Sequence, residues 1–147
     1  MGPLDLLDHD SIYVDAQILI YTVENHPSYS LRLRSIWKLV EENGIVVYSS
    51  ELSLLETLVL PKRNNDLALV ADYHQFLYRG LAGLVPVSRA ILEEAADLRA
   101  RIPSLRTPDS IHASTAVLSN SGAFLSNDKS LRNVPSLNVV LLEELLP

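Results

Sequence analysis

Five short apolar runs, spaced by stretches of helical period, constrain this chain more than any other feature. The runs are Ser11 to Val14, Ile45 to Tyr48, Leu84 to Val87, Ala123 to Ser126 and Asn138 to Leu142. Each has the length and the β-branched or aromatic content of a strand, and several are apolar throughout, as strands covered on both faces must be. Pro86 marks the third run as an edge strand, because proline donates nothing to a ladder. Between the runs the period changes to that of helices. Leu33, Ile36, Trp37 and Val40 line a helix that Ser30 can cap and that runs to about Asn43. Ser49 or Ser50 is placed to cap a helix over 51–60, ended by Pro61. Leu69, Val70, Tyr73, Phe76 and Leu77 make a wide apolar face over 66–79. Ile91, Ala95, Leu98 and Ile102 point inward from 89–101, and Pro108 opens a helix over 108–119. Strands alternating with helices predict an α/β fold: a parallel sheet, right-handed crossovers and helices on both faces. Residues 1–147 show no linker or repeat and read as one domain.

Composition narrows the function classes. There is no cysteine, which excludes a disulfide framework and thiolate metal ligation. No apolar run reaches the ~18 residues of a membrane span, and Met1 to Asp5 carries no basic leader. Asp5, Asp8 and Asp10 read as a solvated lead-in. A cytoplasmic protein with no membrane partner is the expectation. The formal charge of −6 argues against a protein that coats nucleic acid generally, but leaves room for a local basic groove.

Four acids stand where such a sheet does chemistry. Ligands bind outside the carboxyl ends of parallel strands, where the strand order reverses, and Asp15 ends the first strand. Glu56 falls within the stripe of Leu52, Leu55 and Val59, on what periodicity makes the buried side of its helix. An acid there needs a partner or a metal, unless it sits at the edge of the stripe and bends to solvent. Asp109, behind Pro108, shares a face with Ala113 and Ala116; by itself it also suits the helix dipole. Asp128 follows the fourth strand, where it could equally cap the turn at Lys129. The four histidines, at 9, 26, 74 and 112, have no ligand spacing, and His112 reads as a packed or rim residue rather than a ligand. No glycine-rich phosphate loop or nucleophile elbow occurs. Carboxylate oxygens alone favour Mg²⁺ or Mn²⁺ over zinc.

Four blocks of sequence together resemble the PIN-domain ribonucleases, of the kind found as VapC-type toxins in toxin–antitoxin pairs. They are Ile12-Tyr13-Val14-Asp15, the helix from Ser50 through Glu56, Leu105 to Ala113, and Leu125-Ser126-Asn127-Asp128. The resemblance covers about residues 11–142. It implies a three-layer PIN-like fold with a five-stranded parallel sheet in order 3-2-1-4-5. It carries over Asp15, Glu56, Asp109 and Asp128 as catalytic, metal-binding acids, with Ser126 and Asn127 orienting the site. Gln17 departs from the family's usual asparagine two residues after the first acid, and its longer amide stands in the same orienting place.

The implied activity is endoribonucleolytic. A divalent cation inverts the field of the carboxylates, so that an anionic phosphodiester is tolerated and a water is activated; cleavage then leaves a 5′-phosphate and a 3′-hydroxyl. Lys62, Arg63, Arg99, Arg101 and Arg106 are candidates for meeting the RNA. A small antitoxin is the implied protein partner. Apolar surplus on the helices at 31–43 and 66–79 suggests a homodimer. A housekeeping PIN nuclease, or a PIN module that binds RNA or protein without cutting, would share these features; Gln17 is the one residue that favours the second.

Overall fold

The structure is a computed structural model that describes residues 8–145, so Asp5 and the leader expectation at Met1 to Asp5 lie outside it. Five strands form one sheet: β1 (Ser11–Val14), β2 (Val46–Ser50), β3 (Gly83–Val85), β4 (Ala123–Ser126) and β5 (Val139–Leu141). All pairings are parallel and the order is β3-β2-β1-β4-β5, as expected. Six helices connect them: α1 (Ala16–Val23), α2 (Ser30–Glu42), α3 (Leu52–Arg63), α4 (Leu67–Gln75), α5 (Arg89–Arg101) and α6 (Thr107–Leu118). The chain leaves β1 toward β2 and β3 on one side and returns to β4 on the other. The order therefore reverses between β1 and β4, where Val14 stands opposite Leu125.

Strand alternation divides the core. Ile12 and Val14 of β1 join Ile18, Leu19, Leu33, Ile36 and Leu125 on one face. Tyr13 joins Leu98, Leu105, Ala113, Ala116 and Phe124 on the other. Ile12, Tyr13 and Val14 are each 0% exposed, so the central strand is covered on both sides. Complete burial of such side chains contributes about 1.5–3 kcal/mol each, and anchors the residue that follows them.

Several local expectations change. Ser30 is the first residue of α2 rather than its cap; Tyr29 caps without a side-chain bond. Glu51 precedes α3 in that position, although Ser50 Oγ does accept from the Leu52 N–H at 3.0 Å. The helix runs through Pro61 to Arg63 instead of stopping, because a proline in the last turn forfeits one backbone bond while its ring is buried. The helix expected over 66–79 is α4 followed by a wider π turn, Phe76–Gly80, closed by Leu81 N–H on Phe76 O at 3.2 Å. Pro86 falls just outside β3, the edge strand.

The largest correction concerns α3. Leu55 and Val59 are 67% and 46% exposed, and the buried side is Ser53, Thr57 and Leu58. The hydroxyls tolerate burial because each is bonded. Thr57 Oγ1 donates to Ser53 O at 2.7 Å, Ser53 shares a 2.8 Å bond with Ser49, and Ser49 Oγ donates to Val14 O at 2.6 Å. Small residues let α3 lie close to β2 and α6.

Candidate active site

The chain after β1 turns directly into α1, and Asp15 is the residue at that turn. Its Oδ1 accepts from the Ile18 N–H at 3.2 Å, a helix cap, and its Oδ2 accepts from Ser126 Oγ at 2.6 Å. Burial lifts the Asp15 carboxyl above its ordinary range, and Glu56 adds to the lift. Ser126, the His112 ring and the Ile18 N–H pull the other way without cancelling it.

Asp128 stands across the reversal point, at the end of β4. It caps the short 3-10 turn Lys129–Asn133, with Oδ1 accepting from Ser130 N–H at 2.9 Å and Ser130 Oγ at 2.6 Å. Its own N–H donates to Ser126 Oγ at 3.0 Å. One hydroxyl thus holds both strand-end acids. Asn127 Oδ1 accepts from Glu143 N–H at 2.9 Å, which ties this loop to the turn after β5.

Glu56 comes from α3 and its side chain is 25% exposed. It faces inward because it lies beside Ser53 and Thr57, not because it shares a stripe with Leu55 and Val59. Its Oε1 stands 2.6 Å from His112 Nε2, within hydrogen-bond distance. Asp109 sits in the first turn of α6, where the helix dipole favours it, and its Oδ2 accepts from Arg106 Nε at 3.1 Å.

All four acids line one cleft of about 800 Å³, together with Gln17, Tyr21, Ser126 and Asn127. Among the described residues, no three His, Asp or Glu side chains lie close enough, as placed, to ligate one ion. The donor set is nevertheless of the type that a hard divalent cation takes: every ligand offered is oxygen. Among the described residues, Glu56 Oε2, Asp109 Oδ1 and Asp128 Oδ2 accept no hydrogen bond and are left for a ligand.

The candidate cations separate. Arg106 lines the cleft. Lys62 and Arg63 are exposed in the last turn of α3. Arg99 braces the loop before α6, donating to Leu105 O at 2.8 Å and Thr107 Oγ1 at 3.0 Å. Arg101 pairs with Glu94 at 3.9 Å. Periodicity missed Lys129 and Glu143, which line the cleft and pair at 3.3 Å; adjacency to Asp128 was the available signal for the lysine. His112 is packed, as expected, but it also touches a site acid. Its place three residues after Asp109, on the same helix face, pointed there.

The family model for the PIN domain matches residues 12–137, a span that contains all four acids. No curated protein is matched by the chain. Solved structures share the fold at low identity. A chain of VapBC2 from Rickettsia felis, bound to a promoter DNA fragment, is 18% identical with a TM-score of 0.75, over 89% of this chain and 98% of that one. A chain of a toxin–antitoxin complex from Klebsiella pneumoniae is 19% identical with a TM-score of 0.60, over 89% and 97%. A chain of FitAcB from Neisseria gonorrhoeae is 16% identical with a TM-score of 0.65, over 91% and 99%. Since the family model spans the sheet from β1 almost to β5 and every helix between, the chain belongs to the PIN domain family.

Proposed function

We propose that this protein is a Mg²⁺- or Mn²⁺-dependent endoribonuclease and the toxin of a toxin–antitoxin pair. One observation carries the nuclease reading: Asp15, Glu56, Asp109 and Asp128, far apart in sequence, line a single cleft at the carboxyl ends of β1 and β4. PIN domains are nucleases, and the similar fold from Klebsiella pneumoniae belongs to a toxin–antitoxin complex; both support the assignment.

The residues divide the work. Asp15, Glu56, Asp109 and Asp128 would hold the cation, which when bound supplies charge neutralisation and an acidified water. Ser126 keeps Asp15 turned toward the cleft, and Arg106 does the same for Asp109. Arg106 and Lys129 offer positive charge to the RNA backbone at the cleft wall. Gln17 is exposed on that wall, beside the path proposed for the RNA.

A small antitoxin and a second copy of the chain are the proposed partners. Of the apolar surplus expected at 31–43 and 66–79, Leu33, Ile36, Val40, Tyr73 and Leu77 are core, whereas Leu31 and Leu67 are 73% and 78% exposed. Three exposed apolar residues also cluster on α3, where Leu55, Val59 and Leu60 are 67%, 46% and 58% exposed, and there the dimer contact is proposed.

The test is cleavage of structured and unstructured RNAs with Mg²⁺, with Mn²⁺ and with chelator. Chelator-sensitive fragments with 5′-phosphate ends, absent from Asp15→Asn and Glu56→Gln, are expected. RNA binding without cleavage under any metal would establish the non-cutting module instead.

A further inference from the structure

His112 is 3% exposed, and both of its ring nitrogens are bonded. Nε2 stands 2.6 Å from Glu56 Oε1, and Nδ1 stands 2.6 Å from the Tyr13 hydroxyl. The chain of bonds joins β1, α6 and α3, the elements that meet beneath the cleft. Tyr13 is a rigid end to it: the ring is 0% exposed, stacks on Phe124 at 4.9 Å and meets the edge of Tyr48 at 5.5 Å.

The directions of the bonds follow from donor chemistry. An ionised Glu56 can only accept, so Nε2 carries the proton toward it. With the proton on Nε2, Nδ1 can accept a hydrogen bond from the Tyr13 hydroxyl. Tyr13 thereby selects the tautomer that can bond the glutamate, and that bond occupies one of its two oxygens. Oε1 is taken by the ring and Oε2 remains for the cleft. Without that bond Glu56, on a helix whose neighbouring leucine points to solvent, has nothing else among the described residues to hold its carboxylate.

We infer that His112, set by Tyr13, is a positioning residue that presents Glu56 Oε2 to a divalent cation. The inference rests on the metal-dependent nuclease reading. Partners that orient a metal ligand typically change metal affinity by about 10–100-fold when removed.

The experiment is calorimetric titration of the full chain with Mn²⁺, for wild type, His112→Leu and His112→Gln, with near-ultraviolet circular dichroism confirming the fold. Nitrogen-15 NMR of the wild-type imidazole reports the tautomer and needs no variant. Expected are a ring protonated on Nε2, a loss of about 10–100-fold in Mn²⁺ affinity in His112→Leu, and recovery of most of that loss in His112→Gln, whose amide can donate from the Nε2 position. A wild-type ring protonated on Nδ1 alone overturns the inference. So does a folded His112→Leu that binds Mn²⁺ like wild type, or a His112→Gln as weak as His112→Leu. Wild type that binds no Mn²⁺ overturns the metal reading itself, and with it this inference; wild type and His112→Leu binding equally overturns this inference alone.

Discussion

Ser126 Oγ donates to Asp15 Oδ2 at 2.6 Å, and so joins the end of β4 to the end of β1. The same oxygen accepts the Asp128 N–H. Ser126→Ala removes a bond to a carboxylate and leaves an N–H without its partner, a loss of about 1–3 kcal/mol. Urea denaturation at neutral pH should show that loss, and RNA cleavage should fall with it. An unchanged midpoint would mean that the hydroxyl does not hold the two acids.

Asp15 makes stability depend on pH in a definite sense. Its folded pKa lies above the unfolded value near 3.8, so between the two the folded state binds more protons. Its contribution is therefore unfavourable above the folded pKa and is relieved as pH falls through that window. In chelator, Asp15→Asn should be more stable than wild type at pH 7, and the gap should close toward the unfolded value. Asp109→Asn should show no such gain, because Arg106 already partners Asp109. Parallel denaturation curves across that range decide it; a gap that widens on acidification reverses the sign and sinks the argument.

Metal should stabilise the wild type by mass action. At ten times the dissociation constant the gain is about 1.4 kcal/mol, roughly 3–6 °C in midpoint for a chain of this size. Asp15→Asn should gain less than wild type, having lost a ligand. Thermal melts with Mg²⁺ and with chelator supply the comparison, and coincident wild-type melts would count against a shared cation.

RNA affinity should depend on the cleft cations. Every backbone phosphate that a side chain ceases to neutralise should lower the salt slope by about 0.7 for a single strand, so Lys129→Ala and Arg106→Gln should each flatten it. If Lys62→Glu with Arg63→Glu flattens it more, the RNA path runs past the end of α3 instead.

Assembly should respond to α3. Leu55 is 67% exposed and lies outside the buried core, so Leu55→Asp should leave the monomer folded. Light scattering at micromolar concentration should then report a dimer for wild type and a monomer for the variant. A dimer in both would place the interface on another face.

The sequence by itself determined the elements and where along them the acids fall. Apolar runs and helical periods depend on neighbours along the chain, which is why β4 and α5 match the expected 123–126 and 89–101. Acids at strand ends and at a proline-opened helix are likewise local facts, and Asp15, Asp109 and Asp128 were legible for that reason. The strand order came from the likeness of whole blocks to a family rather than from any single run.

Only the tertiary structure decided which side of α3 faces inward and what holds each acid. A period shows that Leu55 and Val59 share a face; it does not show that Ser53 and Thr57 pack closer. That choice depends on the volume left beside β2 and α6, and on Ser49 being present to satisfy the hydroxyls. The orienting bonds are similarly non-local. Tyr13 and His112 are separated by 99 residues, and Glu56 and His112 by 56. A hydrogen bond of that range leaves no mark in the spacing of either residue, because the distance that makes it is set by how three elements pack on one sheet.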